Sequence, residues 1–238
     1  NYPNKMNTSV KFRDEKVKVL SCIRPFSSEM LDSHAVRGQY GPGYIDGEAV
    51  CGYREENLVN PESSVETYVA LKLFIDNWRW TGTPFYVRAG KRLPKRATEI
   101  TITFKPGPGL LFQQEHSPEH ANCLVIRIQP NEGVSLKINS KAPGALNIMQ
   151  AVNMDFRYGT YFGYEPPEAY ERLIYDAIAG DSTLFARSDE VMYSWSLLTP
   201  ILYHWWNTPA RDFPNYSSGT WGPKESEVLI SLGPSPAF

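Results

Sequence analysis

Five cations lie close together in the stretch RAGKRLPKR at residues 88–96: Arg88, Lys91, Arg92, Lys95 and Arg96. Gly90 and Pro94 predict a turn here, and a turn can direct basic side chains and backbone N–H groups at one anion. The whole chain carries 24 basic and 26 acidic residues, a net charge of -2, so the cluster is local. Two interpretations remain open: an anion-binding loop, and a solvated or polyanion-binding patch.

The other chemistry-bearing residues form no recognisable catalytic or metal-binding pattern. The Gly-rich stretch GPGYIDG at residues 41–47 lacks the spacing and the following helix that pyrophosphate binding requires, so we interpret it as a turn. His116 and His120 stand four residues apart, but Pro118 between them argues against a helix and therefore against a metal site. We assign no catalytic residue and no metal ligand to this chain.

Composition restricts the class of protein. The 238 residues, 42% of them hydrophobic and 21% charged, are enough for a globular domain with a core. The mildly acidic balance argues against a nucleic-acid partner, and no apolar run approaches the roughly 20 residues of a membrane helix. Cys22, Cys51 and Cys123 are odd in number and widely spaced, which favours reduced thiols in a cytoplasmic protein.

The basic stretch lies between segments that alternate apolar and polar residues. TPFYVR, at residues 83–88, predicts a short strand that leads into it. Four later segments alternate in the same way and are joined without helices: TEITITF (98–104), NCLVIRIQ (122–129), GVSLKIN (133–139) and VNMDF (152–156). They predict an antiparallel sheet with one buried face, and they place Arg127, Gln129, Lys137 and Asp155 on polar faces of their strands.

Apolar residues at helical spacing predict helices elsewhere in the chain. The segments are 13–22, 65–78, 167–180, 188–206 and 222–232. Ser63 and Glu66 have the spacing of a capping box for the second of them. Five tryptophans fall at predicted helix positions, where core or interface packing explains them: Trp78, Trp80, Trp195, Trp205 and Trp206.

Strands followed by helices predict an α+β fold, with a large, mainly antiparallel sheet and helices packed on one face. The sequence has no internal repeat and no long flexible linker. Residues 1–238 are therefore expected to form one domain.

Several blocks of the chain resemble the C-terminal domain of the glucose-6-phosphate dehydrogenase family. In order, they are RDEKVKVL (13–20), RGQY (37–40), NWRWTGTPFYVRAGKRLPKR (77–96), IRIQPNEGV (126–134), AYERLIYDAIAGD (169–181), FARSDEV (185–191) and WGP (221–223). The resemblance extends from about residue 13 to about residue 230.

The resemblance implies oxidation of D-glucose 6-phosphate to 6-phospho-D-glucono-1,5-lactone with NADP, in the oxidative pentose phosphate pathway. In this family an N-terminal Rossmann domain binds the coenzyme and carries the catalytic histidine. The C-terminal domain completes the sugar-phosphate site and forms the dimer contact. The chain has no coenzyme-binding turn and no catalytic histidine block. We therefore expect it to be a fragment of the enzyme, with NADP bound mainly by an absent domain, in a homodimer or homotetramer.

The resemblance also implies three substrate contacts. Lys91 matches the family lysine that contacts the sugar phosphate, Arg96 matches a basic substrate contact, and Gln129 matches a glutamine near the same pocket. A phosphate dianion with several sugar hydroxyls requires charge and donors of fixed geometry, which these side chains provide.

Some members of the family bind a second, structural NADP on this domain. Arg88, Arg127, Lys137 and Asp155 match positions of that site. However, Ala97 and Thr101 stand where those members have basic residues, and Trp221 replaces an arginine. These differences argue against a structural coenzyme in this chain.

Two alternatives belong to other classes of protein. The first is a catalytically silent binding or assembly module of the same fold, and the second is a polyanion-binding protein. The retention of Lys91, Arg96 and Gln129 favours the enzyme over a silent module, and the net charge of -2 counts against polyanion binding.

Overall fold

The structure is a computed structural model that describes residues 5–105, 121–144, 149–163 and 169–231. Its helices are α1 (Lys5–Ser21), α2 (Ser28–His34), α3 (Tyr158–Phe162), α4 (Ala169–Ala179), α5 (Ser188–Asn207) and α6 (Lys224–Ser231). Its strands are β1 (Ala35–Gly38), β2 (Tyr40–Gly41), β3 (Gly43–Ile45), β4 (Glu48–Val50), β5 (Tyr68–Phe74), β6 (Pro84–Gly90), β7 (Thr98–Thr103), β8 (Cys123–Gln129), β9 (Gly133–Lys141), β10 (Met149–Arg157) and β11 (Tyr216–Ser217).

Antiparallel pairing dominates, and the strands do not alternate regularly with helices, which confirms the α+β class. In the described ranges the strands form four separate sheets, and the β2–β11 pair is parallel. The chain divides into two units: residues 1–94 with 167–229, and residues 95–166 with 230–238. The assignment of residues 1–238 to one domain stays a prediction.

Four of the five predicted helices are confirmed, as α1, α4, α5 and α6. α1 begins well before the predicted residue 13, whereas α4 ends directly before the predicted stop at Gly180. Gly180 has a φ of 71°, a left-handed conformation that glycine adopts without a steric penalty, so it ends the helix there.

The helix predicted over residues 65–78 is wrong, because this segment contains strand β5. β5 is the central strand of the sheet β1-β5-β6 in the first unit. Tyr68 and Ala70 are buried on one of its faces and Leu71 on the other. A strand buried on both faces reads as an almost continuous apolar run, which periodicity does not distinguish from a helix. Ser63 does not cap a helix either; its hydroxyl accepts from the Val65 N–H at 3.3 Å in a turn.

Two clusters of buried side chains hold the first unit together. The first joins α2, β5 and α5 and contains Phe26, Leu31, Ala35, Leu71, Ile201 and Trp205. The second joins β2, β5, β11 and α6 and contains Tyr40, Tyr68, Ala70, Tyr216 and Leu229. Full burial of a large apolar side chain contributes about 1.5–3 kcal/mol, so these clusters fix β5, which pairs with β6, the strand that leads into the basic stretch.

The five tryptophans have different surroundings. Trp205 is buried in the first cluster, as predicted for core packing. Trp78 and Trp80 lie in a turn rather than a helix, and Trp78 is 89% exposed. Asn77 forms this turn, because its side-chain oxygen accepts from the N–H groups of Arg79 and Trp80. The helix placement is therefore wrong for Trp78 and Trp80.

The second unit contains an antiparallel sheet in the order β7-β8-β9-β10. Cross-strand register places the apolar residues of these strands in rows on one face, such as the row Ile102, Leu124, Leu136 and Met154. This face was predicted to be buried, yet Ile100 and Met154 are 50% and 49% exposed. Alternation shows that one face of a strand is apolar but does not show what covers it, so the prediction of a buried face is wrong for the described chain.

The stretch GPGYIDG contains a hairpin turn, as predicted. β3 and β4 pair across Asp46 and Gly47, whose φ angles of 52° and 84° are typical of a tight two-residue hairpin connection. No phosphate-binding helix begins within residues 41–47.

Candidate functional site

Lys91 is the first residue after β6, and its backbone is hydrogen-bonded on both sides. Its N–H donates to the Thr67 carbonyl at 2.9 Å, and the Tyr216 hydroxyl donates to its carbonyl at 2.9 Å. The side chain is exposed and makes no ion pair with any described residue. Lys91 thus combines a fixed backbone with an ammonium that is open to an anion.

The glycine before Lys91 is required by the ring of Tyr68. A Cβ added at Gly90 would lie 2.5 Å from Tyr68 Cδ2, closer than carbon atoms approach in folded proteins. Gly222 of the WGP block approaches the same ring, and a Cβ there would lie 2.5 Å from Tyr68 Cε2. The buried ring of Tyr68 therefore packs directly against two glycines from blocks that are far apart in the sequence.

The positive charge of Arg92 is paired with a carboxylate of the first unit. Its guanidinium donates to the Glu56 carboxylate at 2.7 Å, and the Tyr40 hydroxyl donates to the same oxygen at 3.0 Å. The hydrogen bond from Arg92 lowers the pKa of the Glu56 carboxyl. The backbone of Arg92 has a φ of 54°, and its carbonyl accepts from the Gly219 N–H at 2.8 Å. Arg92 therefore holds the turn rather than presenting a free cation.

Arg88 is also engaged with a neighbouring side chain. Its guanidinium lies 4.5 Å from the centre of the Trp221 ring, a cation–π contact. Lys95 and Arg96 are both exposed. Arg96, like Lys91, has no carboxylate partner in the described ranges. The surroundings of Lys91 and Arg96 thus differ from those of Arg88 and Arg92, although all four are equivalent in the sequence pattern.

The second unit brings Arg96 and Gln129 to the same end of its sheet. Gln129 is the last residue of β8, it pairs with Thr98 at the start of β7, and Arg96 lies two residues before Thr98. The register shifts between Thr98 and Glu99, so the pairing is irregular at this end. Gln129 is exposed, with its amide available to a ligand.

One face of the same sheet carries Arg127 on β8, Lys137 on β9 and Asp155 on β10. The cross-strand partners of Arg127 and Asp155 on β9 are each separated from Lys137 by an even number of residues, which places all three side chains on the same side. The Arg127 guanidinium is 3.3 Å from Asp155 Oδ1. A hydrogen bond from Ser135 and the contact with Arg127 lower the pKa of Asp155. Arg88 belongs to the first unit, so the structure does not place these four residues together.

Sequence reasoning missed the residues that hold the turn: Thr67, Tyr216 and Gly219. Thr67 lies in the segment that was wrongly predicted to be a helix. The Tyr216 hydroxyl contacts Lys91 from 125 residues further along the chain. The WGP block, two residues after Gly219, was the one sequence signal close to this contact.

The described residues form no metal-binding cluster. Within the described ranges, no group of three or more His, Cys, Asp or Glu side chains could hold a metal ion. His116 and His120 lie outside those ranges. The three cysteines are free, and burial raises the pKa of the Cys123 thiol. None of the described helices is both long and apolar enough to cross a membrane.

The chain combines a mainly antiparallel α+β fold with an exposed lysine on a tightly held turn. Comparison with known families shows to which class of protein this combination belongs. Residues 1–233 match the family described as glucose-6-phosphate dehydrogenase, C-terminal domain. The chain therefore belongs to this family, as the sequence blocks predicted.

Individual relatives and solved structures agree with the family. The chain is 55% identical over 221 residues to glucose-6-phosphate 1-dehydrogenase from Chlamydia pneumoniae, covering 92% of this chain and 43% of that protein. It is 44% identical to the same enzyme from Bacillus subtilis, covering 96% of this chain and 46% of that protein. A glucose-6-phosphate dehydrogenase solved in complex with its substrate glucose-6-phosphate superimposes with a TM-score of 0.79 at 36% identity, covering 97% of this chain and 46% of that one. The chain thus spans about half the length of the proteins it resembles.

Proposed function

We propose that this chain is the C-terminal part of a glucose-6-phosphate 1-dehydrogenase, which oxidises D-glucose 6-phosphate to 6-phospho-D-glucono-1,5-lactone. Membership of the family and 55% identity to one such enzyme support this proposal. The structural observation that carries it is Lys91, whose backbone is hydrogen-bonded on both sides while its ammonium is exposed and uncompensated. Such a cation is ready to bind an anion without first breaking an internal ion pair.

Each proposed contact residue suits one part of the substrate. The Lys91 ammonium is a compact charge for the phosphate dianion, and the Arg96 guanidinium offers two parallel donors to phosphate oxygens. The Gln129 amide both donates and accepts, so it suits a sugar hydroxyl, which does the same. These residues bind and orient the substrate. NADP, when bound, supplies the acceptor for the hydride, and we assign its binding mainly to a part of the enzyme outside this chain.

The residues that match a second, structural NADP do not fit one well. Arg88 already lies over Trp221, and Arg127 already contacts Asp155. A coenzyme phosphate would have to compete with both interactions. Ala97 and Thr101 offer no positive charge in the second unit. We therefore propose that this chain holds no structural NADP and that no step of the reaction depends on one.

We further propose that the chain self-associates through the exposed apolar face of β7-β8-β9-β10. Residues of this face remain exposed on three of the four strands, including Ile102 on β7, Ile128 on β8 and Met154 on β10. An apolar face of this extent is unusual for a free surface and is typical of an interface. A second copy would cover it with an identical set of side chains.

The role of Lys91 and Arg96 is tested in the full-length protein that carries this chain, by following the reduction of NADP with glucose 6-phosphate. We expect Lys91→Ala and Arg96→Ala each to lower kcat/KM roughly ten- to a hundredfold, since each removes a charge-assisted contact of about 1.5–3 kcal/mol. Arg96→Lys should be milder than Arg96→Ala, because a point charge still meets the anion.

The matched control is Lys11→Ala, which removes an exposed lysine from helix α1. It should leave kcat/KM unchanged. An equal loss in all the variants, reproduced by added salt, would mean that the cations act only through their summed field. An unmutated protein that binds glucose 6-phosphate without oxidising it would support a catalytically silent module instead.

A further inference from the structure

The turn at Lys91 is held by a short segment near the end of the chain, residues 216–219. The Tyr216 hydroxyl donates to the Lys91 carbonyl at 2.9 Å, and the Gly219 N–H donates to the carbonyl of the next residue, Arg92, at 2.8 Å. Two consecutive carbonyls of the turn are therefore bound by one segment. The Lys91 N–H donates to the Thr67 carbonyl at 2.9 Å, so the bond from Tyr216 completes the restraint of the two peptide planes on either side of the Lys91 Cα. Because a peptide unit is planar, fixing both planes sets the direction in which the Lys91 side chain leaves the backbone.

The direction of each hydrogen bond around Tyr216 follows from the atoms present. A tyrosine hydroxyl has one hydrogen, and a carbonyl only accepts, so the Tyr216 hydrogen points to Lys91. Thr67 Oγ1 lies 3.2 Å from the Tyr216 oxygen and must then be the donor in that contact. Thr67 Oγ1 in turn accepts from the Tyr40 N–H at 3.1 Å. The three residues form a chain of donors that ends at the Lys91 carbonyl.

Burial keeps the Tyr216 hydroxyl protonated and in place. The ring lies in the second apolar cluster, with its centre 5.5 Å from that of Tyr68 and 6.4 Å from that of Tyr40. This burial raises the pKa of Tyr216 to about 12, so the hydroxyl keeps its hydrogen and remains a donor at neutral pH.

We propose that Tyr216 is a positioning residue for Lys91, holding its backbone so that the ammonium meets the substrate phosphate with little loss of entropy on binding. The inference rests on the proposed function, since it takes Lys91 to be a phosphate contact. Lysine has a long and flexible side chain, and fixing the backbone from which it extends reduces the range of positions that its ammonium samples. Tyr216 itself does not touch the substrate.

The test is a double-mutant cycle of Tyr216→Phe and Lys91→Ala in the full-length enzyme. Tyr216→Phe keeps the ring and removes the hydroxyl. We expect KM for glucose 6-phosphate to rise about three- to tenfold with kcat within about twofold, because one positioning hydrogen bond is lost. On the Lys91→Ala background the same substitution should leave KM unchanged, since no ammonium remains to be positioned.

The matched control is Tyr53→Phe. Tyr53 packs edge-on against Tyr40 in the same cluster, and its hydroxyl has no hydrogen-bond partner among the residues that the structure describes. This variant should leave KM unchanged. A thermal unfolding midpoint is measured for each variant, so that the fraction of folded enzyme is known.

The outcomes separate the inference from the proposed function. If Lys91→Ala leaves KM unchanged, the proposed role of Lys91 fails. If Lys91→Ala raises KM but Tyr216→Phe raises it equally in both backgrounds, or not at all, the inference is overturned and the proposed function stands. A fall in kcat with unchanged KM and a lower unfolding midpoint would show that Tyr216 supports only the fold.

Discussion

The cations of residues 88–96 differ in electrostatic surroundings. Arg92 is paired with Glu56 and Arg88 is stacked on Trp221, whereas Lys91 and Arg96 lack a carboxylate partner within the described ranges. A phosphate gains most from a cation that is not already neutralised, because binding then breaks no existing pair. The turn therefore combines cations that hold it in shape with cations that are open to a ligand.

We predict that Arg92→Ala slightly lowers the denaturant midpoint of the full-length enzyme and leaves kcat/KM for glucose 6-phosphate within about threefold. The ion pair with Glu56 is lost, and a non-glycine residue remains at a φ of 54°. The pKa of Glu56 is lowered from its ordinary value of 4.5 in the folded state, so the pair stabilises the protein above that pH. The difference from the unmutated enzyme should therefore disappear as the pH falls below 4.5.

Urea denaturation at neutral and acidic pH measures this difference, with Lys11→Ala as the control for loss of an exposed cation. A tenfold loss of kcat/KM in Arg92→Ala, with an unchanged midpoint, would show that Arg92 contacts the substrate instead of holding the turn.

At the scale of the elements, β5 and β6 approach each other closely where the turn begins. Tyr68 on β5 pairs with Gly90 on β6, and the buried Tyr68 ring occupies the space in which a side chain at position 90 would lie. The turn is thus set by packing of the strands below it as well as by its own hydrogen bonds.

We predict that Gly90→Ala destabilises the protein by about 1–3 kcal/mol, because the added methyl group overlaps the Tyr68 ring in a packed cluster. The matched control is Gly159→Ala, where an added Cβ has no atom within 4 Å. The free energy of unfolding in urea distinguishes them. A Gly90→Ala variant as stable as the control would mean that the ring of Tyr68 moves aside without cost.

Whether each element could be predicted from the sequence depended on how many of its faces are buried. Strands β7 to β10 alternate cleanly because their two faces differ in polarity, and this alternation is visible in the sequence. β5 was assigned to a helix because both of its faces are buried. The family resemblance pointed to Lys91, Arg96 and Gln129, but composition and spacing alone left the basic stretch with two interpretations. The Tyr216 contact was not predictable, because no local pattern connects residues 125 positions apart.

At the scale of the whole molecule, the exposed apolar face of the four-stranded sheet favours association of two copies. Ile102 and Met154 lie on this face, on its two outer strands. Met154→Lys should raise the dimer dissociation constant at least tenfold. Burying the unpaired lysine charge at the interface costs about several kcal/mol of desolvation free energy. Asn153→Lys is the matched control, since Asn153 is exposed on the opposite face of the same strand.

Sedimentation equilibrium over a range of concentrations measures both dissociation constants. An unmutated protein that remains monomeric at high concentration would contradict self-association. Equal weakening by both substitutions would contradict the choice of face.

The distance along the chain between Lys91 and Tyr216 has a consequence for how the protein is made. The two residues are 125 positions apart, so at about 5–20 residues per second a ribosome adds Tyr216 roughly 6–25 s after Lys91. For nearly all of that interval the nascent chain carries all five cations of the basic stretch without the hydroxyl that closes the turn. The turn that presents Lys91 is therefore completed late in synthesis, and under the proposed function the phosphate contact is completed only then.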